Sequence, residues 1–192
     1  MFTKKYEEET NLRCQLVIDD SSSMYFPKEG VSKFEYAVYA AASLIELLKR
    51  QRDAVGLSIF DEEVHLHTAA KSSLLHHRYL YSELEKRLVS YEEKHKKQTA
   101  AIAALHAIAD LTHKRSLVVI FSDLLDDPAH TNQLFDALQH LKHNKHEVIL
   151  FHVYHEGYEK SFDLEDRPYQ LIDMESGDRM HLQPGEVRLQ YQ

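Results

Sequence analysis

Glycine is scarce in this chain, with five among 192 residues. Loops that cradle phosphates need several closely spaced glycines, so ligand sites of that kind are all but excluded. Cysteine is nearly absent. A lone Cys14 rules out an intrachain disulfide framework and any multi-cysteine metal centre, and it fits a reducing compartment. Long hydrophobic runs are missing as well. Leu117–Phe121 has the length of a strand, far short of the roughly 20 residues that cross a bilayer. The first residues, MFTKKYEEETNLR, are too polar for a signal peptide. Basic residues are outnumbered, 23 Lys and Arg against 31 Asp and Glu, for a net charge of -8. That balance argues against a nucleic-acid binder and against a polybasic membrane-surface protein. What remains is a soluble, cytoplasmic chain without a membrane segment. With 43% apolar and 28% charged residues it can bury a core without staples, and residues 1–192 read as a single domain.

Hydrophobic periodicity alternates between strand and helix. Cys14–Ile18 is a buried strand that ends in Asp19-Asp20. Ser32 and Glu35 have capping-box spacing, and Phe34, Ala37, Val38, Ala41, Leu44, Ile45 and Leu48 recur at helical intervals behind them. Asp53–Phe60 reads as a second strand. Val64, Leu66 and Thr68 alternate with polar residues, the pattern of an antiparallel edge strand. Helices are expected over 74–91 and 98–113, then a strand at Leu117–Ser122 followed by Asp123. A helix from Asp127-Pro128 to about Asn144 precedes a further buried strand, Glu147–Tyr154, and two short strands, Tyr169–Met174 and Met180–Leu182. A covering helix would begin after Pro184-Gly185, and the chain runs only to Gln192. Apolar central strands separated by helices predict an α/β fold, a doubly wound, mostly parallel sheet flanked by helices with one antiparallel edge strand. Ligands of such sheets bind at the carboxyl ends of the strands.

Three places carry oxygen ligands at that edge: Asp19-Asp20-Ser21-Ser22-Ser23-Met24 after the first strand, Thr99 at the start of the alanine-rich helix, and Asp123 after Ser122. Carboxylates and hydroxyls are hard donors that suit Mg²⁺ or Mn²⁺. Lys96 and Lys97, beside Thr99, lower cation affinity by repulsion.

The pattern Asp19-x-Ser21-x-Ser23-Met24, with Thr99 and Ser122-Asp123 in later loops, resembles the metal-ion-dependent adhesion site of the von Willebrand factor type A (vWA) domain. The lead-in Lys5–Arg13, the Ser-Ser-Ser-Met run and Ser122-Asp123-Leu124-Leu125-Asp126 resemble the bacterial branch called domain of unknown function 58 (DUF58). The resemblance implies a Rossmann-like vWA fold excised from the C-terminal part of a longer protein. It implies that Ser21 and Ser23 coordinate a Mg²⁺ directly, that Asp19 and Asp123 act mainly through waters, and that Thr99 is direct or water-bridged. The remaining position would take an acid from a partner protein. MoxR-type AAA+ ATPases are the partners implied, and no enzyme activity is.

Other readings use the same residues. A Mg²⁺-dependent phosphatase of the haloacid dehalogenase type would use Asp19 as nucleophile, but position 21 is Ser where its general acid should stand. A receiver domain would use Asp19-Asp20 with Asp61, but one long helix fills the gap between them. A structural domain with a degenerate, empty site is the third alternative. The 14 histidines include pairs with metal-compatible spacing, such as His65 and His67. Without cysteines or an HExxH motif they read as surface or satisfied residues. Cys14 lies inside a buried strand, which disfavours a nucleophile. Tyr25, Phe26 and Pro27 follow the loop directly and are read as its rim or as local packing.

Overall fold

The computed structural model describes residues 12–89, 101–124, 131–161, 163–172 and 179–185. Its elements run β1 (Arg13–Asp19), α1 (Lys33–Arg50), β2 (Ala54–Phe60), β3 (Val64–His67), α2 (Leu74–Val89), α3 (Ala101–Leu111), β4 (Leu117–Ser122), α4 (Thr131–His143), β5 (Glu147–His152), β6 (Tyr169–Ile172) and β7 (Arg179–Leu182). A 3₁₀ turn spans Ser22–Tyr25 and a π turn spans Glu156–Lys160.

The main sheet has five strands in the order β3-β2-β1-β4-β5. β1 pairs in parallel with both β2 and β4, and β4 with β5. β3 pairs antiparallel with β2 at the edge, as its alternating pattern predicts. The chain leaves β1 for β2 on one side and later returns to β4 on the other. This reversal opens a crevice between the carboxyl ends of β1 and β4.

Alternate residues of the central strands feed two separate cores. Leu16 and Ile18 of β1 and Leu57 and Ile59 of β2 pack beneath α1 and α2, against Phe34, Ile45 and Leu80. Val17, Phe60, Val118 and Ile120 pack beneath α3 and α4, against Ile108 and Leu141. Both faces of the central strands are thus covered, which is why their sequences are apolar along most of their length, Gln15 and Ser58 apart. α1 begins where the sequence places its cap. The Ser32 hydroxyl accepts from the Glu35 N–H at 3.1 Å, and the Glu35 carboxylate accepts from the Ser32 N–H at 2.8 Å.

One polar ladder crosses the α3 side of the sheet. Gln15 donates to the Ser58 hydroxyl at 2.8 Å, and Ser58 lies 2.9 Å from Nδ1 of His67. Gly56 leaves the space that Gln15 occupies: a Cβ there would lie 2.2 Å from the Gln15 Oε1 and 2.5 Å from the Thr68 carbonyl.

The structure differs from the sequence reading at the far edge. Glu147–Tyr154 reads from the sequence as a further buried strand. The observed strand ends at His152, and Ile149 and Phe151 are each 45% exposed. β5 is the last strand of the sheet; α4 covers one of its faces, and the described residues leave the other uncovered. Its Phe151 still stacks on Phe121 of the neighbouring β4, with ring centroids 5.0 Å apart. An apolar run alone cannot tell an edge strand from a central one. The two short strands near the C-terminus form their own antiparallel pair, β6–β7, apart from the main sheet. Among the described residues no helix is long and apolar enough to cross a membrane.

Candidate metal centre

Asp19 ends β1 and Ser122 ends β4, and the parallel register that pairs Ile18 with Phe121 brings them side by side. Both oxygens of Asp19 are held. Oδ1 accepts the Ser21 N–H at 2.9 Å, the turn that an Asp two residues ahead of its donor makes. Oδ2 accepts the Ser122 hydroxyl at 2.6 Å. Ser122 in turn accepts the Leu124 N–H at 3.0 Å, which ties the loop after β4 to the same point. Beyond Asp19 the chain tightens into the 3₁₀ turn. Met24 donates its N–H to the Ser21 carbonyl and buries its side chain completely in the α1 core. That apolar anchor fixes Ser21 and Ser23, whose hydroxyl oxygens lie 3.1 Å apart.

The charges around this loop are unevenly shared. Asp19 is 6% exposed. Its burial, and then the nearby Asp123 carboxylate, push its carboxyl up to about 6, against the opposing hydrogen bonds from Ser122 and Ser21. Asp123, also buried, takes the Lys33 ammonium at 2.8 Å. The same ammonium reaches Glu159 of the π turn. Asp20 points away from the serines: it pairs with Arg87 of α2 at 3.1 Å and accepts the Tyr25 hydroxyl.

Of the residues read from the sequence, Asp19, Ser21, Ser23 and Asp123 lie together at one sheet edge. Thr99, with Lys96 and Lys97, lies outside the described residues. Among the described residues no three His, Cys, Asp or Glu side chains are grouped to hold a metal ion. A cation there would depend chiefly on hydroxyls. The 3.1 Å between the serine oxygens suits two neighbouring corners of an octahedron; Mg–O bonds of about 2.0–2.1 Å put such corners roughly 2.9–3.0 Å apart. In that respect the donor set fits Mg²⁺ or Mn²⁺, through few direct carboxylates.

Lys33 is the site residue that the sequence reading missed. It reads as the first residue of an amphipathic helix. The one available signal was a cation in the first turn, where the helix dipole disfavours positive charge. Tyr25 and Phe26 are packing residues rather than a protruding rim: Tyr25 stacks on Phe34 at 4.8 Å, and Phe26 meets Tyr158 edge-on at 5.6 Å. Asp61, at the end of β2, holds His65 at 2.6 Å. Among the histidines expected to be ordinary, His106 and His140 meet with their Nδ1 atoms 3.0 Å apart, and others have separate surroundings. His76 reaches the Val55 carbonyl, His146 accepts the Ser116 N–H, and His77 is buried. Cys14 is buried, and its thiol is pushed up to about 12 by that burial and by Asp53.

The family described as Protein of unknown function DUF58 matches residues 1–192. Two solved structures from Bacteroides are similar in fold. One is an aerotolerance-related membrane protein of Bacteroides fragilis NCTC 9343 with multiple mutations to serines. It has 18% identity and a TM-score of 0.56, with 94% of this chain and 85% of that chain covered. The other is the conserved hypothetical protein BatB of Bacteroides thetaiotaomicron. It has 15% identity and a TM-score of 0.58, with 94% and 84% covered. Likeness at that identity concerns the fold alone. No curated protein matches the chain.

Proposed function

We propose that this chain, which belongs to the DUF58 family, is a protein–protein interaction module of the vWA kind that takes a partner's carboxylate at a Mg²⁺ or Mn²⁺. The observation that carries this reading is the pair of serine hydroxyls 3.1 Å apart beside an Asp19 whose two oxygens are both engaged. Ser21 and Ser23 would hold the ion directly, while Asp19 and Asp123 orient them and offset its charge. The chemistry such a cation supplies is electrophilic attraction for an incoming carboxylate, which few direct anionic ligands leave strong. The residues themselves bind and orient; no reaction is assigned to them. The partner class carried forward from the resemblance is an acidic surface of a MoxR-type AAA+ ATPase, met in the cytoplasm.

Two observations bear on the alternatives. A phosphatase nucleophile needs an open carboxylate oxygen, and both oxygens of Asp19 already accept hydrogen bonds from this chain. The degenerate, purely structural reading is favoured by the Lys33 ammonium on Asp123. Calorimetric titration of Mg²⁺ and Mn²⁺, with acetate present as the carboxylate, into the chain and into Asp19→Ala separates the cation-site reading from the empty, structural one. Saturable heat in the parent that is lost in the variant supports the cation site. Identical traces overturn it.

A further inference from the structure

We infer that Lys33 is a built-in counter-ion that makes cation binding at this site conditional on the partner's carboxylate. The inference rests on the cation-site reading above and assigns its regulation to a residue that no motif includes.

Lys33 is 3% exposed, a degree of burial that lysine seldom tolerates without partners. Its ammonium bridges Asp123, 90 residues away, and Glu159, 126 residues away. The Phe26 ring covers it at 5.9 Å. It also occupies the first position of α1, the end of a helix where a cation is disfavoured. Burial and helix position both act against a positive charge here; the two carboxylates are what hold it.

Glu159 is itself secured, since its other oxygen accepts the His155 N–H at 2.6 Å. The bridge therefore joins the loop after β4 to the turn after β5. The consequence for a divalent ion is direct. One of the two carboxylates expected to offset its charge is already neutralised, by a group that also repels it. Asp19, Asp123 and Glu159 bring three negative charges, and the Lys33 ammonium cuts them to about two, acting first on Asp123 beside the ion's position. With that ammonium next to it, a dication is held weakly until an external carboxylate adds a further negative charge. Ion and partner acid then bind together, and neither binds well alone.

The test is a Mn²⁺ titration followed by the electron paramagnetic resonance of the unbound ion. The chain is compared with Lys33→Met, Lys33→Gln and Glu159→Gln, each shown to be folded by circular dichroism, with and without acetate as the probe carboxylate. The expected result is Mn²⁺ binding roughly tenfold or more tighter in both Lys33 variants, with a smaller gain from acetate than in the parent. Glu159→Gln keeps the ammonium but leaves Asp123 as its only carboxylate among the described residues, so Mn²⁺ should bind more weakly than in the parent. Equal or weaker Mn²⁺ binding in both folded Lys33 variants overturns the role of Lys33 and leaves the cation site standing. So does tighter binding in Glu159→Gln. Absence of Mn²⁺ uptake by the parent and by every variant removes the cation site itself, and the inference with it.

Discussion

Asp19→Asn should stabilise the cation-free protein while abolishing its response to Mg²⁺. Asp19 is buried at the end of β1, and its carboxyl is pushed from 3.8 up to about 6, first by that burial and then by Asp123. Each decade of proton affinity is worth about 1.4 kcal/mol, so keeping the carboxylate ionised in the folded state costs about 3 kcal/mol relative to the unfolded chain. The sign follows from the raised value. Below 3.8 both states are protonated and the cost vanishes; above about 6 both are ionised and it is complete. Asn keeps the acceptor for the Ser21 N–H, and its amide can donate to the Ser122 oxygen, so the loop geometry survives. Urea unfolding in EDTA should show the variant about 2–3 kcal/mol more stable at pH 7.5, and only about 1 kcal/mol more stable at pH 4.5. In thermal scans at pH 7.5 that corresponds to roughly 4–10 °C for a chain of this size. Mg²⁺ added together with acetate should raise the midpoint of the parent and leave that of the variant unchanged. A variant less stable than the parent at pH 7.5, or an offset of the same size at both pH values, would refute the reasoning.

Gly56→Ala should cost about 2–3 kcal/mol in denaturant unfolding, because the new methyl meets the Thr68 backbone at 2.5 Å as well as Gln15; a loss under about 0.5 kcal/mol would show that the ladder yields easily. His77 is buried with no hydrogen-bond partner for either ring nitrogen among the described residues, and this burial, ahead of the neighbouring His76 and Lys49 charges, holds its pKa below the usual histidine range. The folded chain thus resists a proton that the unfolded chain accepts, so stability should fall as the pH drops through about 6.5, and His77→Leu should flatten that fall. A thiol pushed up to about 12 should leave Cys14 unreactive toward an aromatic disulfide reagent in the native chain and reactive in denaturant; rapid native labelling would contradict its burial.

Local patterns were legible wherever one stretch of chain carries the whole cause. The α1 cap needs only Ser32 and Glu35, three residues apart, and both hydrogen bonds form. The antiparallel edge strand is visible in the alternation of Val64 and Leu66 with their polar neighbours, although a bulge opposite Ile59 and Phe60 sends Leu66 to the α1 core and Val64 to the α3 core. Asp19 and Ser21 make their turn across two residues, so that half of the candidate site is written in sequence order. The other half is not. Ser122 reaches Asp19 from 103 residues away, and that contact depends on β4 lying next to β1, which hydrophobic periodicity cannot specify.

Lys33 and β5 mark where local reading fails. Lys33 follows a helix cap, a position that is usually solvated; only the approach of the loop after β4 and the turn after β5 buries it between two acids. β5 has the apolar content of a central strand yet lies at the sheet's edge, since strand order is settled by crossovers rather than by composition. The sequence by itself determined a mostly parallel α/β sheet, poor in glycine and cysteine, with an acid-and-hydroxyl loop after its first strand. Those properties come from hydrophobic period and from contacts within a few residues. The tertiary structure alone decided that Asp19 is clamped by Ser122, and that Asp123 is already paired with an internal cation. Both facts come from segments about a hundred residues apart meeting at one crevice, where burial makes every charge depend on its neighbours.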